Sequence, residues 1–369
     1  MAIKSSSIRP RDKNLKPQYI RSGIRKTSKR GASSPLIVVY GFLAIILIGA
    51  FLLYLPFSNV ENISFVDALF TSTSATTVTG LTVIDTTSSW TFYGQIIIAI
   101  LIVLGGIGFM TGAAFFLIAA GQSLGLTRRV QVGQGLGEEK LDSISGLVLK
   151  VVISSLIFQI IGTLIFLILF NINFDNNFRD NLWLSIFHSI SSFNNAGFTI
   201  FQENSNLDIF SQGYLNNVIL ILTSLLFFFG GIGYFVVNDL LHHRKILGQR
   251  GFRRFRVLLS LETKMILIGS LVLTFIGTVA IFIFEYSNLQ TIGQFSLSEK
   301  IINSFFTSMS TRTAGFNSFD MSLTNDYTNI ICGVLMFIGR LGPMTLALLI
   351  SGSKKQIEYR FFEEKVRIG

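Results

Sequence analysis

The chain has little charge and almost no cysteine. Asp, Glu, Lys and Arg together account for 14% of its 369 residues, hydrophobic side chains for 50%, and the mean hydropathy is +0.59. Soluble domains carry roughly a quarter charged residues, so an ordinary soluble globular chain is excluded and a polytopic membrane protein remains. The one cysteine, Cys332, lies in an apolar stretch and leaves no internal disulfide, so helix packing must hold the fold. No His is paired with a nucleophile inside an apolar run, and there is no carboxylate pair and no Cys/His cluster. That argues against an intramembrane enzyme, and we expect no catalytic residue, no resident metal and no cofactor in this chain.

The charge that is present is unevenly placed. Met1 to Arg30 holds ten Lys or Arg and one Asp, too long and too basic a stretch for a secretory signal, and is expected to be a retained cytoplasmic tail. Further basic groups concentrate around Arg128 and Arg129, between Arg244 and Lys264, and after residue 353. These are alternate loops, so the positive-inside rule assigns all of them to the cytoplasm. The net charge of +10 therefore does not indicate a nucleic acid partner; the lipid bilayer is the expected one. The remaining loops lean acidic, with Glu61, Asp85, Asp180 and Asp320 among them, against Arg179, Lys300 and Arg312. An outer vestibule of that sign would concentrate cations, and ordinary solvated loops explain it equally well.

Six apolar runs are long enough to cross a bilayer, which needs about 20 residues: 36–56, 92–120, 146–170, 215–237, 264–284 and 328–350. Six crossings place both basic termini on one side. Between the members of each pair lies a shorter run, Phe65 to Thr77, Trp183 to Asn194 and Lys300 to Thr311. About 12 residues make a helix of roughly 18 Å, too short for a hydrocarbon core of about 30 Å, so these runs are expected to dip in and return. The non-helical backbone after each dip must be covered by protein or solvated by water and ions.

After each short run comes one variant of a single motif: Ser74-Ala75-Thr76-Thr77-Val78-Thr79-Gly80-Leu81, Ser192-Phe193-Asn194-Asn195-Ala196-Gly197-Phe198 and Ser310-Thr311-Arg312-Thr313-Ala314-Gly315-Phe316. The glycines are 117 and 118 residues apart, which makes the motif an internal repeat. Glycine permits backbone angles that turn successive carbonyls toward one axis, and carbonyl oxygens replace a cation's water without fixed charge. The C-terminal end of the preceding short helix adds partial negative charge there. Thr77, Thr79, Asn195 and Thr313 would tie the loops down or add oxygens. Each second crossing carries glycines as well, in Leu104 to Phe109, Phe229 to Tyr234 and Ile338 to Pro343. They serve close helix packing or a bend beside a pore.

These residues resemble the Trk, Ktr and HKT superfamily of potassium transporters, most of all the membrane subunit of Ktr systems. The resemblance rests on Thr71 to Leu81, Asn194 to Phe198, Thr311 to Asn317 and Met336 to Leu346, and spans nearly everything from Leu36 onward. It implies an all-α membrane protein of helix, pore loop, helix units around a pseudo-symmetric pore, taking up potassium across the bacterial plasma membrane. The filter would be Val78, Thr79, Gly80 and Leu81, then Asn195, Ala196, Gly197 and Phe198, then Thr313, Ala314, Gly315 and Phe316. It further implies a homodimer on a cytoplasmic nucleotide-binding regulatory subunit, with sodium as an activator in some members. Both termini would be cytoplasmic.

The expected organisation is a basic tail over 1–35, units over 36–120, 146–238 and 264–350, cytoplasmic linkers over 121–145 and 239–263, and a cytoplasmic tail over 351–369. The family has four units and this sequence presents three: its third pore loop runs into a helix resembling the last helix of a fourth. Three strands would leave one side of a four-sided filter open, so a non-conducting paralogue or assembly subunit is the alternative. Arg340 is the one basic residue expected deep in an apolar run. The resemblance puts it below the filter as an electrostatic barrier, and a structural ion pair or a snorkelled side chain is the other reading. His188 is expected to pack, His242 and His243 to open a solvated loop, and Asp67 to cap the first short helix.

Overall fold

The computed structural model describes residues 36–108, 144–201, 207–233, 236–237, 239–240 and 259–341, and the described residues are helical, with no strand. The first helices are α1 (Leu36–Tyr54), α2 (Phe65–Thr77), α3 (Thr86–Ser89) and α4 (Phe92–Ile107). Then follow α5 (Ile144–Asn173), α6 (Phe178–Phe193), α7 (Tyr214–Gly231), α8 (Leu261–Glu285), α9 (Leu297–Thr313) and α10 (Asp326–Leu341). Of the expected tails and linkers, the stretches 1–35, 121–143, 241–258 and 351–369 lie outside the described residues.

Among the described residues, three helices are long and apolar enough to cross a membrane: Val148–Asn173, Tyr214–Gly231 and Thr263–Glu285. The other three expected crossings are represented by shorter apolar helices, Val39–Tyr54, Phe92–Ile107 and Asp326–Gly339. Two runs read as continuous are interrupted: α4 stops before Gly108 (φ +86°), and α7 ends at Gly231 with Gly233 at φ +82°. Glycine in that conformation ends a helix at no steric cost, so the Gly-Gly-X-Gly segments break these crossings.

The short helices are longer than their apolar cores suggested. α2 occupies the expected Phe65–Thr77, but α6 starts five residues before Trp183 and α9 three before Lys300. In α9 the cause is a capping box: the Ser296 hydroxyl accepts from the Glu299 N–H while the Glu299 carboxylate accepts from the Ser296 N–H at 2.9 Å. In α2 the cap is Ser64, whose hydroxyl accepts from the Asp67 N–H and donates to the Asp67 carboxylate at 2.7 Å. Asp67 is thus the cap's partner rather than the cap. At 16 and 17 residues, α6 and α9 reach roughly 24 to 26 Å, still short of a hydrocarbon core of about 30 Å.

Burial is inverted relative to a soluble protein. The short helices bury hydroxyls and amides, including Thr71, Ser72, Ser74 and Thr76 in α2, Ser185, Ser189, Ser191 and Ser192 in α6, and Asn303, Ser304, Thr307 and Ser308 in α9. The long helices turn apolar side chains outward, with Ile168 63% and Phe275 70% exposed. A surface of that kind is stable only against an apolar medium. α2 packs between α1 and α4, α6 between α5 and α7, and α9 between α8 and α10, while α4 touches α6 and α7 touches α9. A phenylalanine cluster of Phe166, Phe170, Phe201, Phe210, Phe227, Phe306 and Phe316 fills the space between α5, α7 and α9.

Candidate cation-conducting loops

Each short helix is fastened to the long helix before it by one serine. Ser72 Oγ donates to Ile46 O at 2.7 Å, Ser189 Oγ to Gln159 O at 2.7 Å and Ser308 Oγ to Thr274 O at 2.9 Å. Three residues beyond each acceptor stands a glycine, Gly49, Gly162 and Gly277. A methyl group on any of them would strike the same serine hydroxyl and a leucine of the second crossing, Leu101, Leu226 or Leu335. At these glycines side chains of two neighbouring helices press against the backbone of a third. Sequence reasoning missed them, although their intervals of 113 and 115 residues come close to the period of the loop motif.

The glycines of the second crossings serve the packing role expected of them. Gly105 lies against the Thr76 carbonyl, Gly230 against the Phe193 carbonyl and Gly339 against the Arg312 carbonyl, each at the C-terminal end of a short helix. Side chains there would push the ends of α2, α6 and α9 out of position.

The loops leave these ends in two ways. After α2, Val78 takes the left-handed conformation (φ 56°) and the Thr79 N–H bonds to Ser74 O at 2.9 Å. After α6, Asn195 does the same (φ 58°) and the Ala196 N–H bonds to Ser191 O at 2.8 Å. After α9 no non-glycine residue is left-handed; Ala314 caps the helix and the Gly315 N–H bonds to Ser310 O at 3.1 Å. From serine to glycine the third connection is one residue shorter, which removes the need for that conformation.

All three loop glycines have positive φ, at +76° for Gly80, +73° for Gly197 and +72° for Gly315. They come together in space. A methyl on Gly80 would sit 2.5 Å from Ala196 O and 3.0 Å from the Gly197 Cα, and one on Gly197 would sit 2.6 Å from Ala314 O and 3.2 Å from the Gly80 Cα. Gly315 has more room: its nearest neighbour is Thr79 O, at 3.7 Å. The loops thus touch in the order first, second, third, and the contact between third and first is the loosest. Thr79 and Gly315 are exposed where Ala196 and Ala314 are buried.

Hydrogen bonds from polar side chains hold the loops. Thr77 Oγ1 and Thr79 Oγ1 share a 2.9 Å hydrogen bond, and Ser191 Oγ and Ser310 Oγ donate to Phe198 O at 2.7 Å and Phe316 O at 2.6 Å. The Asn195 side chain donates to Phe227 O at 3.0 Å and accepts from the Gly231 N–H at 3.3 Å, with Thr313 Oγ1 3.4 Å from the same amide. Among the apolar members, Phe198 and Phe316 are core residues while Leu81 is 63% exposed. His188 packs among Phe166, Phe170, Phe201 and Phe316, its Nε2 2.9 Å from Thr223 Oγ1, as its packing assignment anticipated.

Two basic residues are not where the charge pattern put them. Arg312 belongs to the last turn of α9 rather than to an outer loop, and reaches the middle of α8. Its guanidinium donates to Ser270 O and Thr274 Oγ1, both at 2.8 Å, and to Ser270 Oγ at 3.1 Å. It is therefore a cation inside the helix bundle, held by neutral oxygens alone among the described residues. Lys300 is buried in the first turn of α9, where Nζ donates to Tyr286 O at 2.8 Å and lies 4.0 Å from the Tyr286 ring centre. Arg340 lies in the last turn of α10 by its backbone; its side chain lies outside the described residues, as do His242 and His243.

Comparison with known proteins gives a consistent picture. The family model TrkH, a cation transport protein, matches residues 22–350. Ktr system potassium uptake protein B of Bacillus subtilis (strain 168) is 39% identical over 305 residues, 83% of this chain and 65% of the relative. The protein of the same name from Vibrio alginolyticus is 35% identical over 322 residues, 87% of this chain and 67% of the relative. The chain thus spans about two thirds of the length of these curated relatives. The crystal structure of the potassium transporter TrkH from Vibrio parahaemolyticus superposes with a TM-score of 0.60 at 18% identity, covering 88% of this chain and 62% of that one, a likeness of fold.

Proposed function

The chain belongs to the TrkH family of cation transport proteins, and from that premise we propose that it is a multi-pass membrane protein that takes up potassium through a path lined by backbone carbonyls. In this reading the segments 36–120, 146–238 and 264–350 are three helix, pore loop, helix units about a pseudo-symmetric axis. Val78 to Leu81, Asn195 to Phe198 and Thr313 to Phe316 are the filter strands. The observation that carries it is the convergence of three loops with positive-φ glycines, Gly80, Gly197 and Gly315, each following the C-terminal end of a short polar-faced helix.

The chemistry follows from that arrangement. A cation gives up its water where several oxygens replace the shell at similar distance, and peptide carbonyls do so without binding too tightly to release. The ends of α2, α6 and α9 contribute their partial negative charge to the same place. The buried serines and the Asn195 amide hold the strands, so the oxygens need not reorganise as the ion arrives.

The rest of the expected machinery extends this proposal: Arg340 as an electrostatic barrier beyond the filter, sodium as an activator, a homodimer in the bacterial plasma membrane, cytoplasmic termini and a cytoplasmic nucleotide-binding regulatory subunit. Two matched relatives carry the words Ktr system in their names, which is the ground for the regulatory partner. A non-conducting assembly subunit is the second reading. What favours it is the room beside Gly315, where the other two glycines have a neighbouring carbonyl at 2.5 to 2.6 Å. Expression in a bacterium deleted for its potassium uptake systems separates the two: growth at low external potassium supports uptake, and unchanged failure to grow supports the subunit.

A further inference from the structure

Away from the loops, on the face where the short helices begin, a cavity of about 440 Å³ opens between α4, the end of α5 and the start of α6. Its size is within the roughly 300–1,000 Å³ range of small-molecule sites. Three aromatic rings line it, Phe174, Trp183 and Phe201, together with the polar groups of Gln95, Asn176 and Asp180. The Trp183 ring is fixed in place: its Nε1–H donates to Gln95 Oε1 at 2.7 Å, and Phe92 meets it edge-on with centroids 4.8 Å apart. Phe201 is held by the 3.0 Å hydrogen bond from Thr87 Oγ1 to its carbonyl. Asp180, in the first turn of α6, forms no side-chain hydrogen bond or ion pair among the described residues.

From this lining we infer that the cavity binds an organic ammonium ion. The aromatic faces attract a cation through their quadrupoles and cover its methyl or methylene groups, which a hydrated alkali ion cannot exploit. The free carboxylate supplies the counter-charge, and the Asn176 amide oxygen can accept from an N–H where the ammonium carries one. Asp180 is exposed at the mouth of the cavity, where its carboxylate would repel an anion. The same chemistry is offered by a free solute and by the ethanolamine headgroup of a lipid. The site is separate from the glycine loops and does not rest on their role in transport.

The experiment reads Trp183, one of two tryptophans in the chain. With Trp90→Phe as background, tetramethylammonium chloride is titrated into the detergent-purified full chain at constant ionic strength, with sodium chloride as the control. We expect a saturable change in Trp183 emission that sodium does not reproduce, and at least a tenfold weaker affinity in Asp180→Asn at unchanged melting temperature. A response no different from sodium, or equal affinity in Asp180→Asn, overturns the assignment. Should Trp90→Phe fail to fold, calorimetric titration of the unsubstituted protein and of Asp180→Asn gives the same comparison. Repeating the titration in phosphatidylethanolamine and phosphatidylglycerol nanodiscs identifies the source: weaker apparent binding only in the former marks the lipid headgroup as occupant, and equal binding in both marks a free solute.

Discussion

The carbonyl oxygen of Ala196 stands 2.5 Å from the place a side chain would occupy on Gly80, so the first and second loops are fitted backbone to backbone. The same fit recurs between Gly197 and Ala314 at 2.6 Å and is relaxed between Gly315 and Thr79 at 3.7 Å. Alanine at Gly80 or Gly197 must meet both a left-handed backbone, at about 1–2 kcal/mol, and an overlap costing about 1–3 kcal/mol more. Alanine at Gly315 meets the first cost alone. In a potassium-dependent growth assay, Gly80→Ala and Gly197→Ala are expected to abolish uptake and Gly315→Ala to reduce it. Equal loss at all three positions would contradict the ordering.

Gly49, Gly162 and Gly277 predict stability rather than selectivity. Gly162→Ala puts a methyl 2.5 Å from Ser189 Oγ and 2.8 Å from Leu226, and the helices must separate or the hydrogen bond from Ser189 to Gln159 must break. A loss of about 1–3 kcal/mol is expected, seen as a lower melting temperature of the purified chain. Ser189→Ala should cost about 0.5–1.5 kcal/mol, the net worth of one such bond.

Arg312 predicts a difference between two charge-neutral losses and one conservative change. Arg312→Gln retains one donor group for Ser270 and Thr274 where the native side chain serves three contacts, and Arg312→Leu retains none. Leucine is expected to cost more than glutamine, by about 1–3 kcal/mol for the acceptors left without a partner. Arg312→Lys should fall nearest the native melting temperature because its ammonium still donates to Ser270 O or Thr274 Oγ1, yet below it because it cannot serve both with the geometry of a planar fork.

Glu299 gives the acid limb of stability. The Gly213 N–H at 2.7 Å, with the Ser296 hydroxyl and N–H, holds its carboxyl below the ordinary value of 4.5. The folded state therefore favours the ionised form, so this contribution is full above the ordinary value and is lost as pH falls from there through the depressed one. Thermal melts across acid pH should show a shallower decline in Glu299→Gln than in the native chain. A parallel decline would assign the acid sensitivity elsewhere.

The loop glycines were legible because the backbone needs them: no other residue enters the left-handed region at so little cost, and three copies at one period leave a plain trace. The apolar helices were legible as apolar runs, three of them among the described residues long enough to cross. Their ends were not, since Gly108 and Gly233 stop helices inside runs that remain apolar, and hydropathy is blind to φ. Arg312 was grouped with the outer loops because it is charged, yet in a bundle whose short helices bury hydroxyls the polar run from Ser310 to Thr313 is ordinary helix. The capping box of Ser296 and Glu299 lay in the sequence and would have moved the start of α9 to its observed place. The organic-ammonium cavity was beyond reach, since Gln95, Asp180 and Phe201 meet only through the packing of three separate segments.

The central claim is that potassium passes where Gly80, Gly197 and Gly315 meet. Rubidium influx into liposomes holding the purified full chain, with Gly197→Ala reconstituted in parallel at equal protein content, tests it most directly. The account predicts influx that potassium competes away and that Gly197→Ala eliminates; no influx above empty liposomes, or influx untouched by Gly197→Ala, would contradict it.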